Sequence, residues 1–379
     1  MTKILIASDS YKGSATSRDI GEYVSAGIHD VDASVETVEV PIADGGEGTV
    51  TSLVVARHGE FRHTDVTGPL GTPVHATWGM LDNHEAILEV AESSGLGLAQ
   101  ANLDPRITTT YGLGQLIGAA LDAGAETIYI GLGGSATNDA GAGMVQALGA
   151  QLLDEDGHEI GYGGGELDRV SRVDLTRLDA RLQHTTIVGL SDVTNVLIGA
   201  DGATAIYGPQ KGATPELVTQ LDQKLDHFQQ VVQTAVAHDF SNDPGAGAAG
   251  GTGFGLRAFL GAELKAGIVT IIQLLRLDEK MNDCDLVITG EGRMDDQSLM
   301  GKAPVGIAKL AKQHGLPVVA IVGGANDELS KVYQAGIDLV LPIPNRPMTV
   351  AEAMANVSVL VREAGQSAYR AFRLRRTEN

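Results

Sequence analysis

The stretch Asp285-Leu-Val-Ile-Thr-Gly-Glu-Gly-Arg293 is a short apolar run that breaks abruptly into glycine, carboxylate and guanidinium. A run of this kind, without polar alternation, predicts a strand covered on both faces, as in a parallel sheet. Two similar runs follow, Val318–Val322 and Asp338–Pro342, with helical patterns at Val305–His314, Glu328–Ala335 and Val350–Leu374. The N-terminal end keeps the same rhythm. Lys3–Ala7 predicts a strand, and Ser17 offers an N-cap ahead of Ile20, Tyr23, Val24, Gly27 and Ile28 at helical spacing. Val35–Val40 predicts a second strand and Thr49–His58 a second helix. Both ends of the chain therefore read as doubly wound α/β structure.

The middle departs from this rhythm. Thr64–Val66 and Val74–Leu81 flank Thr67-Gly-Pro-Leu-Gly-Thr-Pro73, a turn-rich joint that predicts antiparallel pairing, which Glu85–Ala91 continues. Beyond it come helix Leu113–Ala123, strand Thr127–Leu132, helix Ala140–Leu148 and strand Thr185–Leu190. A long helix over Thr214–His238 has Thr214 as cap and Pro215 as first residue. The economical arrangement is a discontinuous domain of residues 1–63 and 281–379, with a second α/β domain inserted at 64–280. Two sequential domains are the alternative.

The chain carries 27 Lys and Arg against 48 Asp and Glu, a net charge of -21. That balance repels nucleic acid and anionic membranes but leaves room for a small anionic ligand. Cys284 is the single cysteine, so an intrachain disulfide and CxxC metal sites are excluded; it reads as a packing residue at a strand edge. The ten histidines show no metal-ligand spacing, and Trp78 reads as core. The opening apolar run is too short for a signal sequence, which makes the cytoplasm the expected location. Gly245-Ala-Gly-Ala-Ala-Gly250 matches a dinucleotide fingerprint in letters only, because a turn precedes it instead of a strand.

Basic residues are scarce here, yet several sit beside glycine: Lys12-Gly13, Lys211-Gly212, Gly292-Arg293 and Gly301-Lys302. Glycine admits close backbone approach, and a neighbouring cation adds full charge, so these loops predict an anion site at strand ends. Carboxylates share the same class of loop: Asp44 and Glu47, Asp139, Asp192, and Glu291 with Asp295. Oxygen ligands for a divalent cation, cations for developing charge and a proton acceptor are the mixture that phosphoryl transfer requires. Asp139 precedes a helix and reads better as a cap or Asx-turn.

Seven segments in order resemble the type I glycerate kinases of bacteria: Asp9-Ser-Tyr-Lys-Gly-Ser14, Ala43-Asp-Gly-Gly-Glu-Gly-Thr49, Thr67-Gly-Pro-Leu-Gly71, Gly133-Gly-Ser-Ala-Thr-Asn-Asp139, Ser191-Asp-Val-Thr-Asn195, Gly208-Pro-Gln-Lys-Gly-Ala213 and Gly290-Glu-Gly-Arg-Met-Asp-Asp-Gln-Ser-Leu-Met-Gly-Lys302. Ser8, Tyr11 and Val196 depart from the pattern, where Pro, Phe and Pro are commoner. The resemblance implies a flavodoxin-like domain interrupted by a mixed-sheet domain of restriction-endonuclease-like topology. It implies phosphorylation of D-glycerate by ATP with Mg²⁺ in an interdomain cleft, giving 2-phosphoglycerate. Transfer to the other hydroxyl, another hydroxy acid, or a solute-binding protein without turnover are the alternatives. On this resemblance Arg293 and Lys12, with Ser10 and Asn195, hold the substrate. Asp192 is the candidate base and Asp9 its runner-up. Asp44 and Glu47 are the expected Mg²⁺ ligands. Lys211 neutralises the transferring phosphate, and Gly133, Gly134, Ser135, Gly250 and Gly251 approach the nucleotide. A monomer or a homodimer is expected.

Overall fold

A computed structural model describes residues 1–43, 45–295, 302–326 and 328–376, with backbone only for 375 and 376. Its strands are β1 (Lys3–Ser8), β2 (Glu36–Glu39), β3 (Glu60–Thr67), β4 (Pro73–Met80), β5 (Glu85–Glu89), β6 (Thr127–Gly131), β7 (Gln151–Leu153), β8 (Arg172–Asp174), β9 (Thr186–Leu190), β10 (Glu263–Lys265), β11 (Leu286–Glu291), β12 (Val318–Val322) and β13 (Leu339–Pro342). The chain divides into two compact units: Met1–Asp44 with Thr51–Ala56 and Ile268–Asn379, and Gly45–Val50 with Arg57–Gly267.

In the first unit five parallel strands run in the order β13-β12-β11-β1-β2. With β11, β12 and β13 taken as this unit's third, fourth and fifth strands, the order is 2-1-3-4-5, the flavodoxin-like doubly wound arrangement. Ile4, Ile6, Leu286, Ile288, Val319 and Ile321 pack with Ile20, Val24 and Ile28 of helix Ser17–Val31 and with Leu360 and Val361 of helix Val357–Arg376. The alternate residues Leu5, Val287 and Val318 are equally buried, and helix Ala303–Gln313 packs against β11 through a face that includes Ile307 and Ala308. Each such aliphatic side chain stabilises the fold by about 1.5–3 kcal/mol. Burial on both faces is why these strands read as unbroken apolar runs.

Two local expectations are corrected. Thr16, not Ser17, caps the first helix: Thr16 and Asp19 form a reciprocal capping box. The Ser17 hydroxyl donates instead to the Ser8 carbonyl and accepts from the Ile42 amide at 2.7 Å, tying the β1 and β2 ends together. The single helix expected at Val350–Leu374 is two, Val350–Ala355 and Val357–Arg376, separated at Asn356.

In the second unit six strands run β10-β9-β6-β5-β4-β3. The first four are mutually parallel, and β4 and β3 are antiparallel additions. β7 and β8 form a separate antiparallel pair. β3 begins at Glu60, earlier than Thr64, because the hairpin register runs from Glu60↔Met80 to Thr67↔Pro73. Trp78 is core as expected, its indole N–H donating to Thr64 Oγ1 at 2.9 Å. The long helix spans Pro215–Val236 with the expected Thr214 cap, and buries Leu221, Leu225, Phe228 and Val232 at helical spacing. Cys284 is buried just before β11, with Sγ against the Lys280 carbonyl. Among the described residues no helix is long and apolar enough to cross a membrane.

Candidate active site

In the first unit the topological switch point lies between β1 and β11, whose carboxyl ends are in register at Ser8↔Gly290. Such points are where open α/β sheets bind ligands. The two following loops touch: the Asp9 amide donates to the Gly290 carbonyl at 2.9 Å, and a Cβ on Gly292 would lie 3.4 Å from Tyr11 Cα. Asp9, Ser10, Lys12 and Arg293 are thereby brought to one sheet edge. The Asp9 carboxylate accepts from the Ser10 amide at 2.6 Å. Lys12 and Arg293 are both exposed, and Arg293 Nη2 donates to Asn326 Oδ1 at 3.1 Å. Glu291 is buried at the end of β11, with Lys302 Nζ 3.4 Å away. Tyr11 is buried and its hydroxyl donates to the Ile321 carbonyl at 2.8 Å; burial pushes its ionisation well above the ordinary phenol range.

In the second unit the carboxyl ends of β5, β6 and β9 carry the segment Gly45–Val50. The Gly133 amide donates to the Gly45 carbonyl at 3.3 Å. A Cβ on Gly131 would meet that carbonyl oxygen at 2.7 Å, and one on Gly133 would meet Gly46 Cα at 2.5 Å, so only glycine fits at either place. Gly45 in turn lies over the Leu190 carbonyl that ends β9. From β5, Glu89 reaches across with both carboxylate oxygens: Oε1 accepts from the Val50 amide at 2.6 Å and Oε2 from the Gly48 amide at 3.2 Å. Glu89 is 3% exposed, and burial pushes its pKa up to about 7 against the pull of those amides. Glu47, at the tip of this turn, is exposed.

The loop Gly133–Asp139 follows β6 and is gripped from behind. Asp139 is fully buried; its carboxylate accepts from Thr110 N and Oγ1 at 2.8 and 2.9 Å and from the Gly141 and Gly143 amides. The expected Asx-turn at Asp139 is present, extended by the bonds to Thr110. Desolvation raises its pKa in spite of these donors. Lys211 is 2% exposed, and its ammonium donates to the Thr137 carbonyl at 2.7 Å. Burial pulls its pKa down to about 7, which the Asp139 charge only partly opposes. Lys211, expected to meet a phosphate, is thus placed against the Thr137 carbonyl beneath the Gly133–Asp139 loop. Gly250 and Gly251 have positive φ, and a Cβ on Gly250 would stand 1.8 Å from the Thr137 carbonyl oxygen. These two glycines lie against the backbone of Thr137, Asn138 and Ala140. Ser135 bonds within the loop to Thr137, and Gly134 has positive φ.

Asp192 is half-buried directly after β9. Asn195 has both ends of its amide engaged: Nδ2 donates to the Asp201 carbonyl at 2.9 Å and Oδ1 accepts from the Tyr207 hydroxyl at 2.6 Å. Both bonds close the loop that follows β9. Asp44 lies outside the described residues, as do residues 296–301 of the last motif. A turn brings Asp154, Asp156 and His158 together, but Asp154 is engaged by the Asp156 and His158 amides and by Arg169. Sequence reasoning missed Glu89, whose one available signal was a carboxylate set between the apolar residues Ile87-Leu88 and Val90.

The fold is that of a two-unit α/β protein with two exposed cations in the loops at one switch point. The model of the glycerate kinase family matches residues 4–373, and the chain belongs to that family. It is 48% identical to glycerate 2-kinase of Escherichia coli (strain K12), covering 93% of each chain, and 44% identical to a glycerate kinase of Bacillus subtilis (strain 168), covering 99% of each. It also superposes on a crystal structure from Salmonella typhimurium LT2 assigned to glycerate kinase 2, with TM-score 0.88, 42% identity and 99% of each chain covered. The protein is a kinase, a phosphotransferase acting on a small molecule.

Proposed function

We propose that this chain transfers the terminal phosphoryl group of ATP to the 2-hydroxyl of D-glycerate, in the cytoplasm. The observation that carries the reading is the pairing of exposed Lys12 and Arg293 at the β1/β11 switch point, in a chain whose net charge is -21. Two cations in so acidic a protein suit a small carboxylate, and the planar Arg293 guanidinium suits one bidentately. Ser10 would lie beside them. Asp192 takes the hydroxyl proton as general base, with Asp9 the alternative. Gly133, Gly134 and Ser135 serve the nucleotide phosphates through their backbone. The interdomain cleft expected from the sequence belongs to this proposal, since positioning supplies most of the rate in phosphoryl transfer.

An exposed carboxylate on a glycine turn is the donor type a hard cation takes, so Glu47 fits Mg²⁺ and Asp44 is its expected companion. Bound Mg²⁺ supplies charge neutralisation at the phosphate oxygens. In this proposal Lys211 neutralises the transferring phosphate, Asn195 contacts the substrate, and Gly250 and Gly251 approach the nucleotide.

ADP release from Mg-ATP, measured with and without D-glycerate and with enolase present, tests the reading. ADP that depends on glycerate, with an enolase signal and no added mutase, is the expected result. ADP without that signal moves the phosphate to the other hydroxyl, and no ADP with glycerate removes the substrate.

A further inference from the structure

We infer that Glu89 is a positioning residue for the phosphoryl transfer: from the end of β5 it fixes the Gly46–Thr49 turn and so sets where Glu47 stands. The inference rests on the proposed function and adds a residue that carries no charge to the substrate itself.

Three independent contacts dock the same segment. Glu89 accepts from the Gly48 and Val50 amides at 3.2 and 2.6 Å. The Gly133 amide holds the Gly45 carbonyl at 3.3 Å. Gly131 and Gly133 lack the Cβ that would strike Gly45 and Gly46. The Thr49 hydroxyl closes the turn on the Gly46 carbonyl at 2.7 Å. Between these fixed points only Glu47 is exposed. A carboxylate whose purpose was to begin the helix Thr49–Ala56 could stand in solvent, where capping by Ser, Thr, Asp or Asn is routine. Glu89 instead sits 3% exposed, a costly placement that persists where geometry has to be fixed. Both oxygens are taken by backbone amides, so the carboxylate restrains the two positions on either side of Thr49. That arrangement limits the swing of the residue before them, which is Glu47.

The experiment compares Glu89→Gln, Glu89→Asp and Glu89→Ala with the wild type by steady-state kinetics, thermal unfolding and amide hydrogen exchange. In Glu89→Gln the amides of Gly48 and Val50 should exchange at least about tenfold faster while the protection of β5 and β6 stays as in the wild type. The kcat should fall about 10–100-fold with the KM for glycerate within about threefold, because misplacement acts on the transition state. Glu89→Asp, which keeps the charge, should recover part of both. Combined with Glu47→Gln, the Glu89→Gln change should cost little more than Glu47→Gln alone, since both act through one carboxylate. Wild-type exchange at 48 and 50, full kcat in Glu89→Gln, or additive losses in the double variant would each overturn the inference. So would a loss of kcat that tracks only the unfolded fraction and vanishes on cooling. Where Glu89→Ala fails to fold, Glu89→Gln and Glu89→Asp still decide. If the wild type itself forms no glycerate-dependent ADP, the proposed function fails, and the exchange data report on Glu89 separately.

Discussion

The two units place their glycine-flanked cations differently near the carboxyl ends of their sheets. In the first, Lys12 and Arg293 are exposed at the switch point. In the second, Glu89, Asp139 and Lys211 are each at most 3% exposed, and each is bonded to backbone of a motif loop. Arg293 gives one of its donors to Asn326 and its side chain stands in solvent, while the buried ionisable groups have committed their polar atoms to the fold. A lysine beside glycine therefore means different things at Lys12 and at Lys211, although the local sequence is alike. The comparison also carries a sign. Glu89 is raised to about 7, so its contribution to stability is present below the unfolded-state pKa of about 4.5 and is lost as pH rises through 7. Lys211 is lowered to about 7, so its contribution is present above about 10.5 and is lost as pH falls through 7.

The comparison breaks most sharply at Asp192, the half-buried carboxylate of the second unit that the proposal assigns to chemistry. Asp192→Asn keeps shape and removes the proton acceptor, so kcat should fall about 10²–10⁴-fold with unfolding unchanged. A loss under about tenfold in single-turnover kinetics would return the role to Asp9.

Lys211→Met tests whether buried charge there is structural. The wild type should gain stability between pH 7 and 10.5, with a slope of at most about 1.4 kcal/mol per pH unit, because the unfolded chain binds the proton that the folded chain has released. Urea unfolding across that range should show the slope flattened in the variant. At pH 7 the variant should lose about 1–3 kcal/mol for the unpartnered Thr137 carbonyl. An unchanged pH slope would place the lysine's charge outside the fold.

How much of this was legible follows the same division. Strands β1, β11 and β12 declared themselves because burial on both faces leaves mostly Val, Ile, Leu and Ala to read. The placement of Lys12 and Arg293 was legible because its signal is local: a cation next to glycine after a strand. The burial of Lys211 was not legible because it comes from the Gly133–Asp139 loop, at Thr137 (|i−j| = 74), and no local signal encodes that. Glu89 was invisible for the same reason, since Ile-Leu-Glu-Val reads as a strand end until its amide partners, 39 residues earlier at Val50, are known. Ser17 and Thr16 are both good caps, and only the Asp19 carboxylate separates them. The turn-rich joint Thr67–Pro73 showed the hairpin, but the exposed outer half of its first strand, Glu60–His63, carries no apolar run to mark it.

Arg293→Ala sharpens the exposed side. Its removal should raise the KM for glycerate about 10–100-fold, as losing a charge-assisted contact of about 1.5–3 kcal/mol would, with little change in stability. A KM equal to the wild type's would leave Lys12 as the carboxylate anchor.

The smallest effect belongs to Tyr11, which sits one residue from Lys12 yet belongs to the buried class. Its hydroxyl holds the Ile321 carbonyl of β12 at 2.8 Å, a bond that the commoner Phe could not make. Tyr11→Phe keeps the ring in its core and deletes only that donor, so unfolding should fall by about 0.5–1.5 kcal/mol. Because the bond fixes the base of the Lys12 loop and not its tip, kcat and KM should stay within about twofold of the wild type. A larger kinetic effect than stability effect would mean that the loop's exposed charge depends on its buried anchor, and the line drawn between the two ways of using polar groups would then run through a single loop.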